Sequence, residues 1–355
     1  MAVILVEGFD AYNGTGTSTA TTVGVRSRWS VPDVTYTGSM VAGRFGGQAW
    51  RQAYSGGLQG GSISVSSASQ GSVGVAIYVE VAASNNTACQ LVGFYSGGAG
   101  NTQRQFGIVL TTTGALAVFT GSANAGTVLY TTGPNVAPTG RWTYIEAEFL
   151  ISDTVGYVNL YANGALVGSV SNVDTKTLAS GTFDTFVINN PADNPTYSVS
   201  YDDIYVTDTP TRLGEQRVVT VVPTSDGTPS QWAASGGAVP PYTMVDEVLC
   251  NADVDYIFDG TVNDRAVFNM ASTGATPVSV SAVQIGTFTR KTDTGTRAIQ
   301  LQYVDSGGTA YDSASQTLGT NYGRQVSVLT NNPATATAWT PAEANALKTG
   351  VKVSV

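Results

Sequence analysis

Short alternating segments between Trp142 and Asp208 constrain the fold of this chain more than any other feature. Residues 142–151, 156–162, 183–188 and 198–206 alternate apolar with polar residues or are rich in β-branched and aromatic ones. Each segment is bounded by Gly, Asn, Asp or Pro, which is the pattern of half-buried antiparallel strands. Asn163-Gly164 predicts a type I′ hairpin, because both residues tolerate the positive φ that its central positions require.

These motifs resemble the concanavalin A-like jelly roll of the laminin-G and pentraxin kind. The resemblance lies in Trp142 opening a strand, in the hairpin at residues 160–164 and in the closing strand at residues 201–206. It implies an all-β, N-terminal jelly-roll sandwich over residues 1–208. A fold of this kind does not determine function.

The remaining sequence predicts a bridge and a second domain. Residues 209–252 have the Pro- and Gly-rich composition of a bridging segment, in which we expect Trp232 and Tyr242 to pack between the domains. Residues 253–355 contain further alternating segments, which predict a smaller C-terminal β-sandwich. One short helix is expected near the C-terminus, where Thr340 and Glu343 form a capping box around Pro341.

Composition narrows the classes of function. The chain of 355 residues has 16 basic and 25 acidic residues, a net charge of −9 and no run of basic residues, which argues against nucleic acid as a partner. An apolar span of about 20 residues and a secretion signal are both missing, so we expect no membrane insertion and folding in the cytoplasm of a host cell. Cys89 and Cys250 are expected to be free thiols.

Histidine is absent. This removes histidine-based triads, histidine general bases and the commonest metal ligand. Any enzyme would have to use carboxylates, Tyr, Lys, Ser or Cys. Together with the all-β build and the low content of charged residues, this favours a protein that is not an enzyme and that has no cofactor.

A second resemblance extends along nearly the whole chain. Its motifs resemble segments of tailed-bacteriophage virion proteins, and they lie at residues 7–10, 201–205, 225–227 with Trp232, 245–247, 332–334, 338–340 and 345–353. The resemblance implies a structural or appendage protein of the virion, such as a capsid, neck, tail-fibre or decoration protein. Its implied partners are other virion proteins and further copies of this chain.

Four aromatic residues are candidates for contact with a sugar or a partner protein. Trp29, Trp50, Tyr54 and Tyr95 would stack on sugar rings if their side chains were exposed. In a β-sandwich, Trp and Tyr are more often core or interface residues, and this alternative stays open from sequence.

Carboxylates supply two further candidates. Glu146 and Glu148 share one face of a predicted strand, as catalytic carboxylates do in some jelly-roll glucanases, although the third acidic residue of that pattern is missing. The alternative is a polar outward face. Oxygen ligands for Ca²⁺ could come from Asp202 and Asp203 together with Asp193 and Asn194. The alternative is that these side chains form hydrogen bonds to neighbouring strands or loops.

Three hypotheses follow, in order of preference. The first is a non-enzymatic structural protein of a bacteriophage particle. The second is a carbohydrate-binding module that attaches to glycans of a host surface, which requires exposed aromatic residues with nearby Asn and Asp on one sheet or loop rim. The third is a glycanase built on Glu146 and Glu148.

Overall fold

A computed structural model shows two compact units. It describes residues 1–15, 23–30, 38–53, 60–81, 89–121, 126–191, 197–274 and 277–355. Unit 1 comprises Met1–Phe9 and Trp29–Val218, and unit 2 comprises Asp10–Arg28 and Val219–Val355. No helix in the described part of the chain is long and apolar enough to span a membrane.

Unit 1 is a sandwich of two antiparallel sheets. Its described strands are β1 (Val3–Glu7), β2 (Ser39–Ala42), β3 (Gln48–Ala53), β4 (Gly61–Ala68), β5 (Gln70–Val81), β6 (Cys89–Tyr95), β7 (Arg104–Leu110), β8 (Leu116–Thr120), β9 (Thr127–Thr131), β10 (Trp142–Leu150), β11 (Gly156–Ala162), β12 (Ala165–Val173), β13 (Phe183–Pro191) and β14 (Ser198–Thr207), with a 3₁₀ turn at Asn101–Gln103. The first sheet has the order β12-β11-β10-β5-β14-β3-β2, with β1 also paired to β14. The second has the order β4-β13-β6-β7-β8-β9.

Aromatic side chains from both sheets form the core of unit 1. Phe149 of β10 lies 4.3 Å from Phe94 and 4.8 Å from Phe106 between ring centroids, both on the second sheet, and 5.6 Å from Phe183. All four rings are buried. Because side chains alternate along a strand, the neighbours of Phe149 at even positions in β10 point away from this core.

Local turn chemistry determines the hairpin between β11 and β12. Asn163 and Gly164 have φ values of 48° and 81°, and Ala162 pairs with Ala165. This is the predicted type I′ geometry. Strand β14 contains an irregularity in pairing between Asp202 and Tyr205, where Asp203 has a φ of 50°. Asp tolerates the left-handed region better than most residues.

Unit 2 is also built from antiparallel strands. Its described elements are β15 (Pro223–Ser230), β16 (Ala233–Ala234), β17 (Ile257–Phe258), β18 (Arg265–Met270), β19 (Val283–Thr289), β20 (Ala298–Val304), β21 (Ala310–Asp312), β22 (Gln316–Thr317), β23 (Gly323–Leu329), β24 (Asn331–Asn332), β25 (Thr337–Ala338), α1 (Pro341–Ala344) and β26 (Lys348–Val353), with 3₁₀ turns at Val25–Ser27 and Pro241–Met244. The main sheet has the order β15-β18-β26-β20-β21, with β22 also paired to β20, and β19 pairs with β23.

The predicted helix cap is present. The Thr340 hydroxyl accepts a hydrogen bond from the Glu343 backbone N–H at 3.2 Å, and the Glu343 carboxylate accepts one from the Thr340 backbone N–H at 2.7 Å. Pro341 occupies the first turn of α1. The predicted fold class is confirmed. The described residues form an all-β structure with one short helix near the C-terminus.

Trp232 and Tyr242, predicted to pack between domains, contribute to the core of unit 2. Trp232 is buried there with residues such as Phe268 and Trp339, and Tyr242 packs against the same cluster. The Trp232 indole N–H donates to the Asp264 carbonyl at 3.2 Å. Both residues and strand β15 lie within residues 209–252, the segment with bridge-like composition. That these rings lock two domains together stays a prediction.

Residues from the N-terminal part of the chain also belong to unit 2. The Tyr12 ring lies 5.9 Å from Phe288, and the Arg324 guanidinium lies 4.8 Å above the Tyr12 ring. Val23 is buried in a small cluster with Ala252 and Tyr322. Tyr12 and Val23 therefore anchor to unit 2 a part of the sequence that has no apolar periodicity.

Candidate functional site

Three of the four aromatic residues selected from sequence lie in the core of unit 1. Trp29, Trp50 and Tyr95 are each at most 1% exposed, and the rings of Trp29 and Trp50 lie 5.9 Å apart. The Trp29 indole N–H donates to the Glu7 carboxylate at 3.1 Å. These three rings offer no face to a sugar, and the packing alternative accounts for them. Tyr54 lies outside the described residues.

The outer face of the first sheet instead brings together polar and aromatic side chains. Even-numbered residues of β10 point to this face, opposite to Phe149. Register places Trp142 beside Tyr78, Tyr144 beside Ala76, Glu146 beside Gly74 and Glu148 beside Ser72 of β5. The outer face divides into a covered centre and a more open end.

The centre of the outer face contains a buried hydrogen-bonded ion pair. Glu146 is 0% exposed. Its carboxylate accepts a hydrogen bond from the Tyr205 hydroxyl at 2.7 Å and one from the Arg212 guanidinium at 2.8 Å. The Tyr205 oxygen in turn accepts from the Leu213 backbone N–H at 3.0 Å. We call Tyr144, Glu146, Tyr205 and Arg212 the central cluster.

Burial determines the protonation of the tyrosines in the central cluster. Burial, followed by the nearby Glu146 carboxylate, raises the pKa of Tyr205 above its usual value. Burial also raises the pKa of Tyr144. Both hydroxyls therefore stay protonated at neutral pH and act as hydrogen-bond donors rather than as bases. The Glu146 carboxylate is fully buried, so a substrate has no access to it. Glu146 is therefore not placed to act with Glu148 as a pair of catalytic carboxylates.

Glu148 lies at the edge of the central cluster. Its carboxylate accepts from the Tyr161 hydroxyl at 3.0 Å, and the Arg212 guanidinium lies 4.1 Å above the Tyr161 ring. Partial burial and this carboxylate raise the pKa of Tyr161. Glu148 and Tyr161 are only partly buried. They form a polar border to the covered centre.

Asp202 and Asp203, the candidate calcium ligands, bind protein groups. The Asp202 carboxylate accepts from the backbone N–H of Arg44 and of Asp203, both at 2.8 Å. The Asp203 carboxylate accepts from the Val218 backbone N–H at 2.7 Å. Asp193 and Asn194 lie outside the described residues, and within the described ones no group of three or more acidic or Cys side chains is placed to hold a metal ion. Calcium binding stays a prediction.

The two cysteines are free thiols, as expected. Cys89 is buried in unit 1, and Cys250 is partly buried in unit 2. Burial raises the pKa of both thiols. A protonated thiol is a poor nucleophile, so neither residue is suited to covalent catalysis.

A row of side chains crosses the open end of the outer face. Strand register aligns Trp142 with Tyr78, Tyr78 with Ser200, Ser200 with Arg51, and Arg51 with Ser39. The rings of Trp142 and Tyr78 are both partly exposed, and their centroids lie 5.6 Å apart. We call these five residues the aromatic row.

Polar groups continue the aromatic row beyond its two rings. The Arg51 guanidinium donates to the Ser39 hydroxyl at 3.1 Å and lies 3.4 Å from the Glu80 carboxylate. Glu80 also accepts from the Ser198 hydroxyl at 2.8 Å. Arg51 and Glu80 have side chains that are 38% and 32% exposed, so both reach solvent. The row thus combines apolar ring faces with charged hydrogen-bonding groups.

Sequence reasoning missed the aromatic row, although part of its signal was present. Trp142 stands two and four residues before Tyr144 and Glu146, which places all three on one face of a strand. Tyr78 stands between Ile77 and Val79 of an alternating segment. Nothing local indicates that these two rings are neighbours, because strand pairing alone brings them together.

Comparisons with known proteins identify structural neighbours only. Neither a family model nor a curated protein sequence matches the chain. A cellulose-induced protein, Cip1, is 17% identical with a TM-score of 0.38, over 54% of this chain and 95% of the other. An alginate lyase from a Chlorella virus is 12% identical with a TM-score of 0.38, over 51% and 93%. A carbohydrate esterase from a Shiga toxin-encoding bacteriophage is 15% identical with a TM-score of 0.37, over 57% and 98%.

These findings correct the expectation that the protein is not an enzyme. Solved structures similar to this chain include an alginate lyase and a carbohydrate esterase. The same similarity assigns no reaction and no ligand to this chain, since identity is 17% or less in these structures.

Proposed function

We propose that unit 1 binds a glycan on the outer face of its first sheet, at the aromatic row. The observation that carries the proposal is the pair of partly exposed rings, Trp142 and Tyr78, with centroids 5.6 Å apart. Sugar rings have apolar faces that pack against aromatic rings, while their hydroxyls need polar partners close by. The aromatic row supplies both on adjacent strands.

The length of the aromatic row suits a short oligosaccharide. Three strand intervals separate Trp142 on β10 from Arg51 on β3. At a spacing of about 4.8 Å between neighbouring strands, this amounts to about 14 Å. Because the row is built on paired strands rather than on loops, its side chains are positioned before a ligand arrives, which reduces the entropy cost of binding.

The proposed site lies at other residues than those selected from sequence. From sequence, a carbohydrate-binding module requires exposed aromatic residues with nearby Asn and Asp on one sheet or loop rim. Trp29 and Trp50 are buried, whereas Trp142 and Tyr78 are partly exposed, and the polar groups beside them are Arg51 and Glu80 rather than Asn and Asp.

We further propose that this binding takes place on a bacteriophage particle. The support is the chain-long resemblance of its motifs to those of tailed-phage virion proteins. In this proposal the chain assembles with other virion proteins and with further copies of itself, and unit 1 attaches the particle to glycans of a host surface. Repeated copies would raise the avidity of individually weak sites.

A glycan array tests the binding proposal. We expect the full-length protein to bind at least one class of oligosaccharide, and Trp142→Ala to weaken that binding at least tenfold, because the stacking surface is removed. Phe258→Ala is the matched control, since Phe258 is an aromatic residue of unit 2 that is 52% exposed. Equal binding by Trp142→Ala and the wild type would contradict the proposal.

Two further measurements complete the test. Incubating the bound glycans with the protein and analysing them by mass spectrometry shows whether the protein also cleaves or modifies them. Cryo-electron microscopy of phage particles purified from cells that produce this chain tests its place in a virion. Purified particles that lack the chain would contradict the virion proposal and leave the glycan proposal intact.

A further inference from the structure

Arg51 of the aromatic row and Glu80 beside it offer one hydrogen-bond donor and one acceptor side by side. Arg51 uses Nε to bind Ser39 and Nη1 to contact Glu80, whereas Glu80 uses Oε2 to bind both Arg51 and Ser198. Among the described residues, Arg51 Nη2 and Glu80 Oε1 have no hydrogen-bond partner. Both side chains are about one-third exposed.

We propose that Arg51 and Glu80 recognise two neighbouring hydroxyls of a neutral pyranose whose ring system stacks on Trp142 and Tyr78. This inference rests on the proposed glycan binding and specifies its ligand class. A hydroxyl both donates and accepts, so one hydroxyl accepts from the Arg51 guanidinium while the adjacent one donates to the Glu80 carboxylate. Hydrogen bonds to charged groups are the stronger ones, and they give such a pair its selectivity.

Charge on the outer face argues against an acidic sugar. A uronate or sialate carboxylate at Arg51 Nη2 would lie beside the Glu80 carboxylate, which repels it. Arg212 and Arg44, further along the face, are likewise paired with carboxylates, Glu146 and Glu215 respectively. The net charge of −9 adds a general repulsion.

Calorimetric titration with two sets of oligosaccharides tests the inference. One set consists of neutral hexose oligomers, and the other consists of oligouronates and sialylated oligosaccharides of equal length. We expect the wild type to bind its best neutral ligand at least tenfold more tightly than any acidic one. Affinity for the neutral ligand should depend little on salt, because this ligand has no net charge whose attraction or repulsion salt could screen.

Glu80→Gln provides the specific variant. Loss of the carboxylate should weaken neutral-glycan binding about tenfold and strengthen binding of acidic glycans severalfold, because Arg51 then lacks its anionic partner. Asp153→Asn is the control, since it breaks an ion pair with Lys176 elsewhere in unit 1. It should leave both sets unchanged.

The outcomes separate the two proposals. Tighter binding of acidic than of neutral glycans by the wild type would overturn the inference and leave glycan binding at the row in place. Unchanged affinities in Glu80→Gln would overturn the role of Glu80. A wild type that binds neither set would overturn the proposed function, and with it the inference.

Discussion

The central cluster and the aromatic row lie on the same face of the same sheet, yet they differ in exposure. In the centre, Glu146 is 0% exposed and Tyr205 is 3% exposed. At the open end, Arg51 and Glu80 are each about one-third exposed. Both regions include residues of β10 and β14, and they are completed by Arg212 in the centre and by Tyr78, Arg51 and Ser39 at the open end. Strand alternation determines which face of the sheet a side chain occupies, whereas a segment later in the chain determines whether that part of the face is buried.

Residues 209–218 cover the centre. The Thr211 carbonyl accepts from the Ser72 hydroxyl at 2.8 Å, the Leu213 N–H donates to Tyr205 at 3.0 Å, and the Val218 N–H donates to Asp203 at 2.7 Å. Burial of Ser72, Tyr205 and Asp203 is tolerated because each of these side chains forms a hydrogen bond with the covering segment. We therefore expect substitutions in the centre to affect stability and substitutions in the aromatic row to affect binding.

The largest expected effect is that of Glu146→Ala. It removes the partner of both Arg212 and Tyr205, and an uncompensated charge beside buried groups is costly. Because the Arg212 side chain is 26% exposed and reaches some water, we expect a loss of about 3 kcal/mol in the free energy of unfolding of unit 1, measured by urea denaturation. Asp153→Asn is the control, and a loss below about 1 kcal/mol would contradict a structural role for the pair.

Gly74→Ala should have the next largest effect. A Cβ at this position would lie 2.1 Å from Cε1 of Tyr205 and 2.7 Å from the Tyr144 hydroxyl, so the central cluster must move. Overpacking of this kind costs about 2 kcal/mol of unfolding free energy. Gly133→Ala is the matched control, because a Cβ there meets nothing within 4 Å. If thermal unfolding of the two variants were the same, the centre would be less tightly packed than the structure shows.

Local features of the fold were predictable from sequence. The Asn163-Gly164 turn and the Thr340–Glu343 cap each depend on residues a few positions apart, and their side-chain chemistry determines the geometry. The alternation that marks β10, β11 and β14 likewise identifies strands without knowledge of their partners. The sequence therefore predicts these elements without knowledge of the fold.

Exposure of individual aromatic residues was not predictable. The sequence next to each residue does not distinguish Trp142 from Trp29 and Trp50. In the structure, however, Trp29 and Trp50 are buried and Trp142 is partly exposed. Tyr78 and Trp142 are neighbours only because β5 pairs with β10, far away in the sequence. A site assembled from five strands leaves no local motif, so the aromatic row became visible only in the folded chain.

Tyr205→Phe gives a smaller effect that depends on pH. It deletes the hydrogen bond to Glu146 at 2.7 Å and should cost about 1.5 kcal/mol near neutral pH. Because burial raises the folded pKa of Tyr205, the stability from its protonated form is complete below the unfolded value of about 10 and declines as the pH rises towards the folded value.

Urea denaturation at increasing pH measures this dependence. The difference in stability between wild type and Tyr205→Phe should be constant up to about pH 9 and should shrink above about pH 10. A difference that stayed constant above pH 10 would show that Tyr205 is not shielded by the segment that covers the centre.

The smallest expected effect on stability is that of Glu80→Gln. The Arg51–Glu80 pair lies 3.4 Å apart with both side chains in contact with solvent, and such pairs contribute less than about 0.5 kcal/mol. Thermal and urea unfolding of this variant should match the wild type. A loss as large as that of Glu146→Ala would place Arg51 and Glu80 among the structural ion pairs. An unchanged stability together with altered glycan affinity would instead show that exposure on this face separates recognition from folding.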